Sequence, residues 1–199
     1  MQLINQLHKY IQAHIKDESH GKPFIIGIDG NCGSGKTTLA WQLAKAYDCP
    51  VIHMDDFFLP SELRSPKRLE EIGGNFHYER FIEEVLVPLQ SGDKLPDSIT
   101  YQVFDCKSLS YSGRKTAALG SLLIIEGSYS FSHGFSDYYD LKIITKCDYD
   151  SQLKRFESRV GSEKLQVFIN KWIPLENRYF KQDDFETKGD IVIDTTSLF

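Results

Sequence analysis

The stretch that decides the fold is Gly30–Thr37, which reads GNCGSGKT and follows the apolar run Phe24–Ile28. It matches the phosphate-binding loop pattern G-x-x-x-x-G-K-[ST], and it stands between a predicted strand and a predicted helix, as that loop does. Its glycines allow successive backbone N–H groups to approach a polyphosphate, and the N-terminus of the following helix adds a positive end. An incidental glycine-rich turn would lack this context. The stretch therefore predicts a binding site for a nucleoside triphosphate.

Each residue of this phosphate-binding loop has an expected role. The Lys36 ammonium should reach the β- and γ-phosphates, facing the phosphate space and not the core, and the Thr37 hydroxyl should bind Mg²⁺. Cys32 lies near a helix N-terminus, whose dipole lowers a thiol pKa. This predicts that Cys32 is the most reactive of the cysteines. The alternative is that Cys32 is only a small residue at a variable loop position. The predicted ATP-binding residues are Gly30, Asn31, Cys32, Gly33, Ser34, Gly35, Lys36, Thr37 and Thr38.

Composition limits the class of protein. The chain has 199 residues, 41% of them hydrophobic, and a net charge of −5, which suits a single α/β domain over residues 1–199. No basic run exceeds a pair, so neither nucleic acid nor a membrane surface is an expected partner. No apolar stretch approaches a membrane span, and the N-terminus lacks the apolar segment of a signal peptide. The cysteines form no C-x-x-C pair, which favours free thiols and a soluble, cytoplasmic protein.

The spacing of apolar residues predicts alternating strands and helices. Residues 59–75 contain several prolines and glycines and are expected to be irregular. The alternation indicates a three-layer, doubly wound parallel sheet, in which ligands bind at the carboxyl ends of the strands. Strands are predicted at 24–28, 51–54, 99–104, 122–125, 141–145 and 191–193, and helices at 3–15, 36–47, 78–90, 151–160 and 163–180, the last interrupted at Pro174.

Carboxylates directly follow two of these strands. Asp55 is placed to accept the proton of an acceptor hydroxyl and to align its oxygen with the γ-phosphate. Its neighbour Asp56 is expected either to cap local structure or to bind substrate. Glu126 ends the run LLII, where an unpaired carboxylate would be unfavourable. A role at Mg²⁺, through water or through Thr37, removes that difficulty.

Two arginines lie four residues apart and so share one face of the predicted helix. Arg155 and Arg159 would belong to a small helical lid, at about residues 155–175, and would stabilise charge on the transferring phosphoryl group. A solvated helix face is the alternative for each of them. Arg159 is favoured because Gly161 next to it allows a lid to hinge.

A guanine-selecting motif competes with this interpretation. Residues 145–148, TKCD, fit the pattern [NT]-K-x-D of GTPases after a strand. A GTPase should also carry D-x-x-G after its third strand, and this chain has Glu126-Gly127 there. Because a four-residue motif is weak alone, the sequence favours a kinase.

The chain resembles the uridine kinase branch of the P-loop small-molecule kinases, which includes nicotinamide riboside kinases and phosphoribulokinase. The similar stretches span residues 24–194 and include IIGIDGNCGSGKTTLA, MDDFF, GGNFHYERF, YQVFDC, LIIEG and GDIVID. The resemblance implies ATP with Mg²⁺ as the phosphoryl donor. It also implies Asp55 as the base, Glu126 at the metal, and Arg159, with Arg155, in the lid.

Two departures from the family concern the acceptor. Uridine kinases carry an Asp after their Asn-aromatic pair, where it holds the ribose hydroxyls; here His77 stands at that position. They also carry a His four residues after the Asp of a Tyr-Asp pair; here Asp105 leads to Leu109. The donor side is intact, so the assignment as a kinase is better supported than the assignment of uridine as its substrate. The candidate substrate-binding residues are Asp56, Phe57, His77, Tyr101 and Asp105.

The sequence therefore predicts a kinase that transfers the γ-phosphoryl group of ATP to a hydroxyl of a nucleoside or related small metabolite. Nicotinamide riboside or another small alcohol is the alternative acceptor, since Trp172 and Pro174 are as similar to residues of nicotinamide riboside kinases as to those of uridine kinases. A regulatory nucleotide-binding protein or NTPase is the alternative of another class. A base at Asp55 and an irregular 59–78 segment favour the kinase. The acceptor and a homo-oligomeric state are left open.

Overall fold

The protein has a central sheet of parallel strands, described by a computed structural model over residues 2–15, 22–90, 95–181 and 185–198. The strands are β1 (Phe24–Gly30), β2 (Val51–His53), β3 (Ser98–Asp105), β4 (Ser110–Ala118), β5 (Leu122–Glu126), β6 (Leu141–Lys146) and β7 (Ile191–Asp194). Five of them form the sheet in the order β2-β5-β1-β6-β7, and every pair in it is parallel. The predicted doubly wound parallel sheet is confirmed.

Helices precede and connect the strands of this sheet. They are α1 (Gln2–Ile15), α2 (Lys36–Tyr47), α3 (Pro66–Glu70), α4 (78–89), α5 (Tyr149–Val160), α6 (Ser162–Val167) and α7 (Ile173–Phe180). A π-helical stretch, Ile82–Leu86, lies within α4, and another, Phe168–Trp172, separates α6 from α7. The single helix predicted at 163–180 is therefore divided, and Pro174 stands in the first turn of α7, where proline is tolerated. Within the described ranges, no helix is long and apolar enough to cross a membrane.

Two apolar layers cover the faces of the sheet. Successive side chains of a strand point to opposite faces. One layer joins alternate residues of β1 and β5 to α1 and α2: Ile26, Ile28, Leu122 and Ile124 with Leu7, Ile11, Leu39 and Leu43. The intervening residues of these strands, Ile25, Leu123 and Ile125, belong to the layer on the other face. Burial on both faces explains why LLII is a continuous apolar run.

The β3–β4 hairpin stands apart from the sheet. The sequence predicted only its first strand, because most residues of β4 are exposed and show no apolar alternation. The hairpin is fastened to the rest of the protein through Tyr101, whose ring stacks on Phe57 at a centroid distance of 5.2 Å. Phe57 belongs to the 3₁₀ turn Met54–Phe57 that follows β2. The hairpin therefore lies beside the carboxyl end of β2.

A close contact on β1 leads to a stability prediction. A Cβ added at Gly27 would lie 2.4 Å from Cδ2 of Tyr139, a buried side chain whose hydroxyl donates to the Ser130 carbonyl. We expect Gly27→Ala to lower the free energy of unfolding by about 1–3 kcal/mol through overpacking. Urea denaturation measures this, with Gly120→Ala as the control because nothing lies within 4 Å of that added Cβ. Equal stability of the two variants would contradict the expectation.

Candidate active site

The phosphate-binding loop connects the carboxyl end of β1 to α2, as predicted. Gly33 and Gly35 adopt φ values of 76° and 86°, which L-residues with a Cβ disfavour. Ser34 is fully buried between the ends of two other segments of the chain. Its hydroxyl lies 2.7 Å from the Thr145 hydroxyl, and its carbonyl accepts from the Thr195 hydroxyl at 2.7 Å. Residues from the ends of β6 and β7 therefore fix the loop.

Lys36 is more enclosed than the sequence indicated, because its ammonium is hydrogen-bonded within the loop. Its side chain is only 8% exposed. The ammonium donates to the carbonyls of Gly30, at 2.6 Å, and Asn31, at 2.8 Å. A buried ammonium requires such acceptors, and the loop's own carbonyls supply them. Lys36 thus holds the first half of the loop as well as carrying its positive charge.

The predicted magnesium ligands lie together. The Thr37 hydroxyl is 3.2 Å from both carboxylate oxygens of Glu126, which is nearly fully buried. Hard oxygen donors of this kind suit Mg²⁺, which takes one or two protein oxygens and the phosphates of its nucleotide. These residues therefore fit a nucleotide-bound Mg²⁺. The described residues contain no group of three or more His, Cys, Asp or Glu side chains that could hold a metal ion.

His53 is a residue of this site that the sequence interpretation missed. It is the last residue of β2 and lies in register with Glu126 on β5. Its Nδ1 contacts the Glu126 carboxylate, and this hydrogen bond is the main reason that the pKa of His53 is raised, against the effect of burial. A polar residue at the carboxyl end of a parallel strand was the signal that could have found it.

Asp55 lies just beyond β2 in the Met54–Phe57 turn and is exposed to solvent. Enough protein nevertheless surrounds its carboxyl group for desolvation to be the largest cause of its raised pKa, followed by the charge of Glu126. Lys36 and Arg159 act on the same carboxyl in the opposite direction. An accessible but partly desolvated carboxyl group therefore lies within electrostatic range of the phosphate-binding loop.

Known kinases are similar to this chain in sequence. Uridine-cytidine kinase B from Dictyostelium discoideum is 30% identical over 168 residues, which cover 78% of this chain and 65% of that protein. Human nicotinamide riboside kinase 1 is 33% identical over 115 residues, covering 56% of this chain and 52% of that protein. The chain is similar to uridine kinase-like P-loop kinases. It spans less than two thirds of the length of either relative.

A solved structure shares the fold. The structure of a possible uridine kinase from Bacillus stearothermophilus superimposes with a TM-score of 0.65 at 22% identity, covering 95% of this chain and all of that one. At this identity the likeness concerns the fold, which is that of the P-loop nucleotide-binding proteins. No protein-family model matches the chain.

The Asp56 carboxylate is held in an ion pair and does not lie open to an acceptor. It is buried, and its carboxylate pairs with the Lys115 ammonium of β4, with N–O distances of 2.8 and 3.0 Å. Its carbonyl accepts from the Arg80 guanidinium at 2.6 Å. Of the two roles expected for Asp56, these contacts favour the structural one. The ion pair ties the hairpin to the turn that carries Asp55.

Two predicted substrate-binding aromatics lie in the core. Phe57 and Tyr101 are 0% and 1% exposed. Phe57 packs edge-on against Phe81 at 5.1 Å, and the Arg80 guanidinium lies 4.4 Å from the Phe57 ring centre. Neither aromatic ring reaches a surface where it could contact a substrate, so these two assignments are corrected. Burial of large aromatic area stabilises the hairpin contact instead.

The remaining two candidate substrate-binding residues, His77 and Asp105, also make contacts within the protein. His77 is half-buried, and its Nδ1 lies 2.7 Å from the Tyr111 hydroxyl; burial lowers its pKa. Asp105 ends β3, where its carboxylate accepts from the backbone N–H groups of Lys107 and Ser108. These hydrogen bonds lower the pKa of Asp105 and make it a cap of the hairpin turn. The assignment of Asp105 to substrate binding is therefore corrected.

The two arginines of α5 differ in their surroundings. The Arg155 guanidinium donates to the Gly33 carbonyl at 3.1 Å and to the Thr195 carbonyl at 2.6 Å, so it joins the loop to the chain after β7. Its predicted position in a lid facing the phosphates is corrected. Arg159 is exposed, lies over the Phe156 ring at 4.7 Å and acts electrostatically on Asp55. Arg159 therefore remains the candidate for stabilising charge on the transferring phosphoryl group.

Three residues of the guanine-selecting motif at 145–148 make contacts within the protein. Asp148 accepts from the Ser151 N–H at 2.7 Å and caps the N-terminus of α5. The Lys146 ammonium pairs with Glu186 at 2.9 Å, and Thr145 contacts Ser34 in the loop. These contacts give each of the three residues a structural role and support the preference for a kinase.

The Cys32 thiol is buried and its pKa is raised, contrary to the helix-dipole expectation. Its side chain packs with Phe156, Leu165 and Ile173 of α5, α6 and α7. Burial raises its pKa to about 12, with a further contribution from the Glu176 carboxylate. Desolvation of the thiolate outweighs the helix dipole, because three helices cover the thiol.

We therefore expect alkylation to modify Cys106 first and Cys32 last. Cys106 is exposed on the hairpin turn, and Cys32 is buried. Although burial also raises the pKa of Cys106, accessibility decides the order when no thiol is acidic. Limited treatment with iodoacetamide, followed by peptide mass spectrometry, measures the order. Modification of Cys32 before Cys106 would show that α5–α7 do not cover the loop in solution.

Proposed function

We propose that the protein is an ATP-dependent kinase that phosphorylates a hydroxyl group of a nucleoside, a riboside or a related small metabolite. The observation that carries the proposal is Asp55, an accessible carboxyl group with a raised pKa beside the phosphate-binding loop. A kinase needs a base at this place, facing an acceptor. The similarity to uridine-cytidine kinase B and nicotinamide riboside kinase 1 supports the same class.

In this proposal the donor site consists of the loop and two oxygen ligands. Backbone N–H groups of Gly33–Thr38, at the N-terminus of α2, bind the phosphates. Thr37 and Glu126 hold Mg²⁺, which when bound neutralises charge on the β- and γ-phosphates. Lys36, fixed by the Gly30 carbonyl, adds a positive charge at the γ-phosphate. The exposed Arg159 stabilises charge on the transferring group.

The chemical step follows from the position of Asp55. Its carboxylate accepts the proton of the acceptor hydroxyl as that oxygen forms a bond to the γ-phosphorus. The bond from the γ-phosphorus to the bridging oxygen breaks, and ADP leaves with that oxygen. A raised pKa makes the carboxylate a stronger base than that of an ordinary Asp.

The acceptor side supports a riboside or other small alcohol bound differently from uridine in uridine kinases. His77 is paired with Tyr111, and Leu109 is an exposed residue of the hairpin turn, with a φ of 54°. Position 77 lacks the carboxylate, and position 109 lacks the imidazole, that uridine kinases carry there. The proposal includes one domain over residues 1–199, a lid at about 155–175, and action in the cytoplasm with ATP and a small acceptor as partners.

A screen of acceptors tests this function. The purified protein is incubated with Mg²⁺-ATP and single nucleosides, nicotinamide riboside, pantothenate or sugars, and ADP formation and product mass are followed. We expect one chemical class to stimulate ADP formation and to yield a phosphorylated product. Slow ATP hydrolysis that no acceptor stimulates would favour the regulatory NTPase instead.

A further inference from the structure

Helix α7 contacts the beginning of the phosphate-binding loop at two points. The Glu176 carboxylate accepts a hydrogen bond from the Cys32 backbone N–H at 2.8 Å through Oε2. One turn further along α7, the Tyr179 hydroxyl donates to Oδ2 of Asp29 at 2.7 Å. Glu176 is 9% exposed, and Tyr179 and Asp29 are fully buried. Residues three apart share one helix face, so α7 presents both groups to the loop together.

These contacts extend to the carbonyl that holds Lys36. Oε1 of Glu176 accepts from the Ser128 hydroxyl at 2.9 Å, and that hydroxyl lies 3.3 Å from the Gly30 carbonyl oxygen. The same carbonyl accepts from the Lys36 ammonium at 2.6 Å. On the other side, Oδ1 of Asp29 accepts from the Gly30 N–H at 2.7 Å. Glu176 therefore acts on the Gly30 carbonyl through Ser128, and Tyr179 acts on the Gly30 N–H through Asp29.

The contacts concern one half of the loop. Glu176 bonds to Cys32 and Ser128, and Tyr179 bonds to Asp29. The N–H groups expected to bind phosphates begin after these residues, at Gly33. The charge of Glu176 would repel a nucleotide if it were free. Two donors within 2.9 Å instead engage both of its oxygens, and hydrogen bonds to a charged group are the strong ones.

We infer that Glu176 and Tyr179 are positioning residues for nucleotide binding, which clamp residues 29–32 and thereby fix Lys36 in the loop. The inference rests on the proposed function only in that the loop binds ATP. Because α7 begins within the segment proposed as the lid, these contacts are also a physical link between lid and loop.

Four substitutions and two controls test the clamp. Glu176→Ala and Ser128→Ala remove hydrogen bonds. Glu176→Gln keeps them, since its amide oxygen can accept from Cys32 and its NH₂ can donate to Ser128. Tyr179→Phe removes only the hydroxyl. Its matched control is Tyr139→Phe, which removes another buried hydroxyl that bonds to the Ser130 carbonyl. Glu186→Ala, at an exposed ion pair, controls for loss of an acidic residue.

The measurement is the Kd for Mg²⁺-ATP, by calorimetry without any acceptor, together with thermal unfolding of the nucleotide-free protein. We expect Glu176→Ala to weaken binding by roughly tenfold or more, the effect of losing a hydrogen bond to a charged group. Tyr179→Phe should weaken it several-fold. Glu176→Gln should stay within about threefold of the wild type, and Tyr139→Phe should change the unfolding temperature alone.

Several outcomes would overturn the inference. Unchanged binding in Glu176→Ala, with only lower stability, would reduce the contact to packing. Tighter binding in both Glu176→Ala and Glu176→Gln would make Glu176 an anion that competes with phosphate. If Glu176→Ala does not fold, Ser128→Ala and Tyr179→Phe decide by the same Kd. Because no acceptor is used, failure of the acceptor screen leaves this test intact.

Discussion

Lys36→Ala is expected to reduce phosphoryl transfer by at least roughly 10³-fold, because it removes a fixed positive charge from the reacting phosphate. The ammonium also donates to the carbonyls of Gly30 and Asn31. Its loss leaves these acceptors without that donor, so we also expect about 1–2 kcal/mol less stability. The fold should persist, since the parallel sheet and its two apolar layers do not depend on this side chain.

Turnover with the acceptor found in the screen, and urea denaturation, measure the two effects. Lys45→Ala is the matched control, since Lys45 is an exposed lysine on the same helix α2. Lys36→Arg should also be nearly inactive, because a planar guanidinium does not fit the space of a compact ammonium. A Lys36→Ala enzyme with turnover near the wild-type rate would show that the loop assignment is wrong.

The parts of the fold that the sequence predicted are those with strong local signals. The unit β1–loop–α2 combines an apolar run, a glycine-rich motif and a helical period. The LLII strand is recognisable because it is buried on both faces. By contrast, β4 is mostly exposed along its length, so it carries no alternation that a pattern could detect. The division of 163–180 by a π-helical stretch likewise leaves no mark in the apolar spacing.

Within the site, the sequence predicted which residues lie at the sheet edge better than it predicted the orientation of their side chains. Asp55 and Glu126 follow strands of a parallel sheet, and that alone brings them to the same edge. The direction of a side chain depends on what packs over it. Phe57 directly follows the two aspartates of the MDDFF stretch but points into the core, and Cys32 is covered by helices more than 120 residues later in the chain. Both side-chain environments are set by parts of the chain that are distant in sequence.

The residues missed by the sequence interpretation illustrate the same limit. Glu176 reaches Cys32 across 144 positions of sequence, and nothing in the surrounding WIPLEN stretch marks it as a loop contact. His53 could have been found, because it is the last residue of β2 and faces Glu126 in register. Asp29 lies one residue before the end of β1, but its three hydrogen bonds with Gly30, Phe131 and Tyr179 are visible only in the structure.

Asp55→Asn is expected to lower kcat by roughly 10²- to 10⁴-fold, the usual contribution of a positioned general base. The amide keeps the size of the side chain but cannot accept the proton of the acceptor hydroxyl. The KM for ATP should change little, because the phosphates are bound by the loop. Asp137→Asn, at an exposed aspartate in the turn Phe135–Tyr138, is the control. Equal losses in ATP affinity and in turnover would instead place Asp55 among the metal ligands.

The pH profile gives a second, independent measurement of this role. The base must be ionised, and desolvation with the nearby Glu126 charge raises the pKa of Asp55, so wild-type kcat should fall as the pH drops through that raised pKa. The fall should therefore begin at a higher pH than the ordinary aspartate pKa of about 3.9 would give. In Asp55→Asn this acid limb should disappear, leaving a low rate that is flat across the same range. An acid limb that persists unchanged in the variant would assign the titration, and the role of base, to another group.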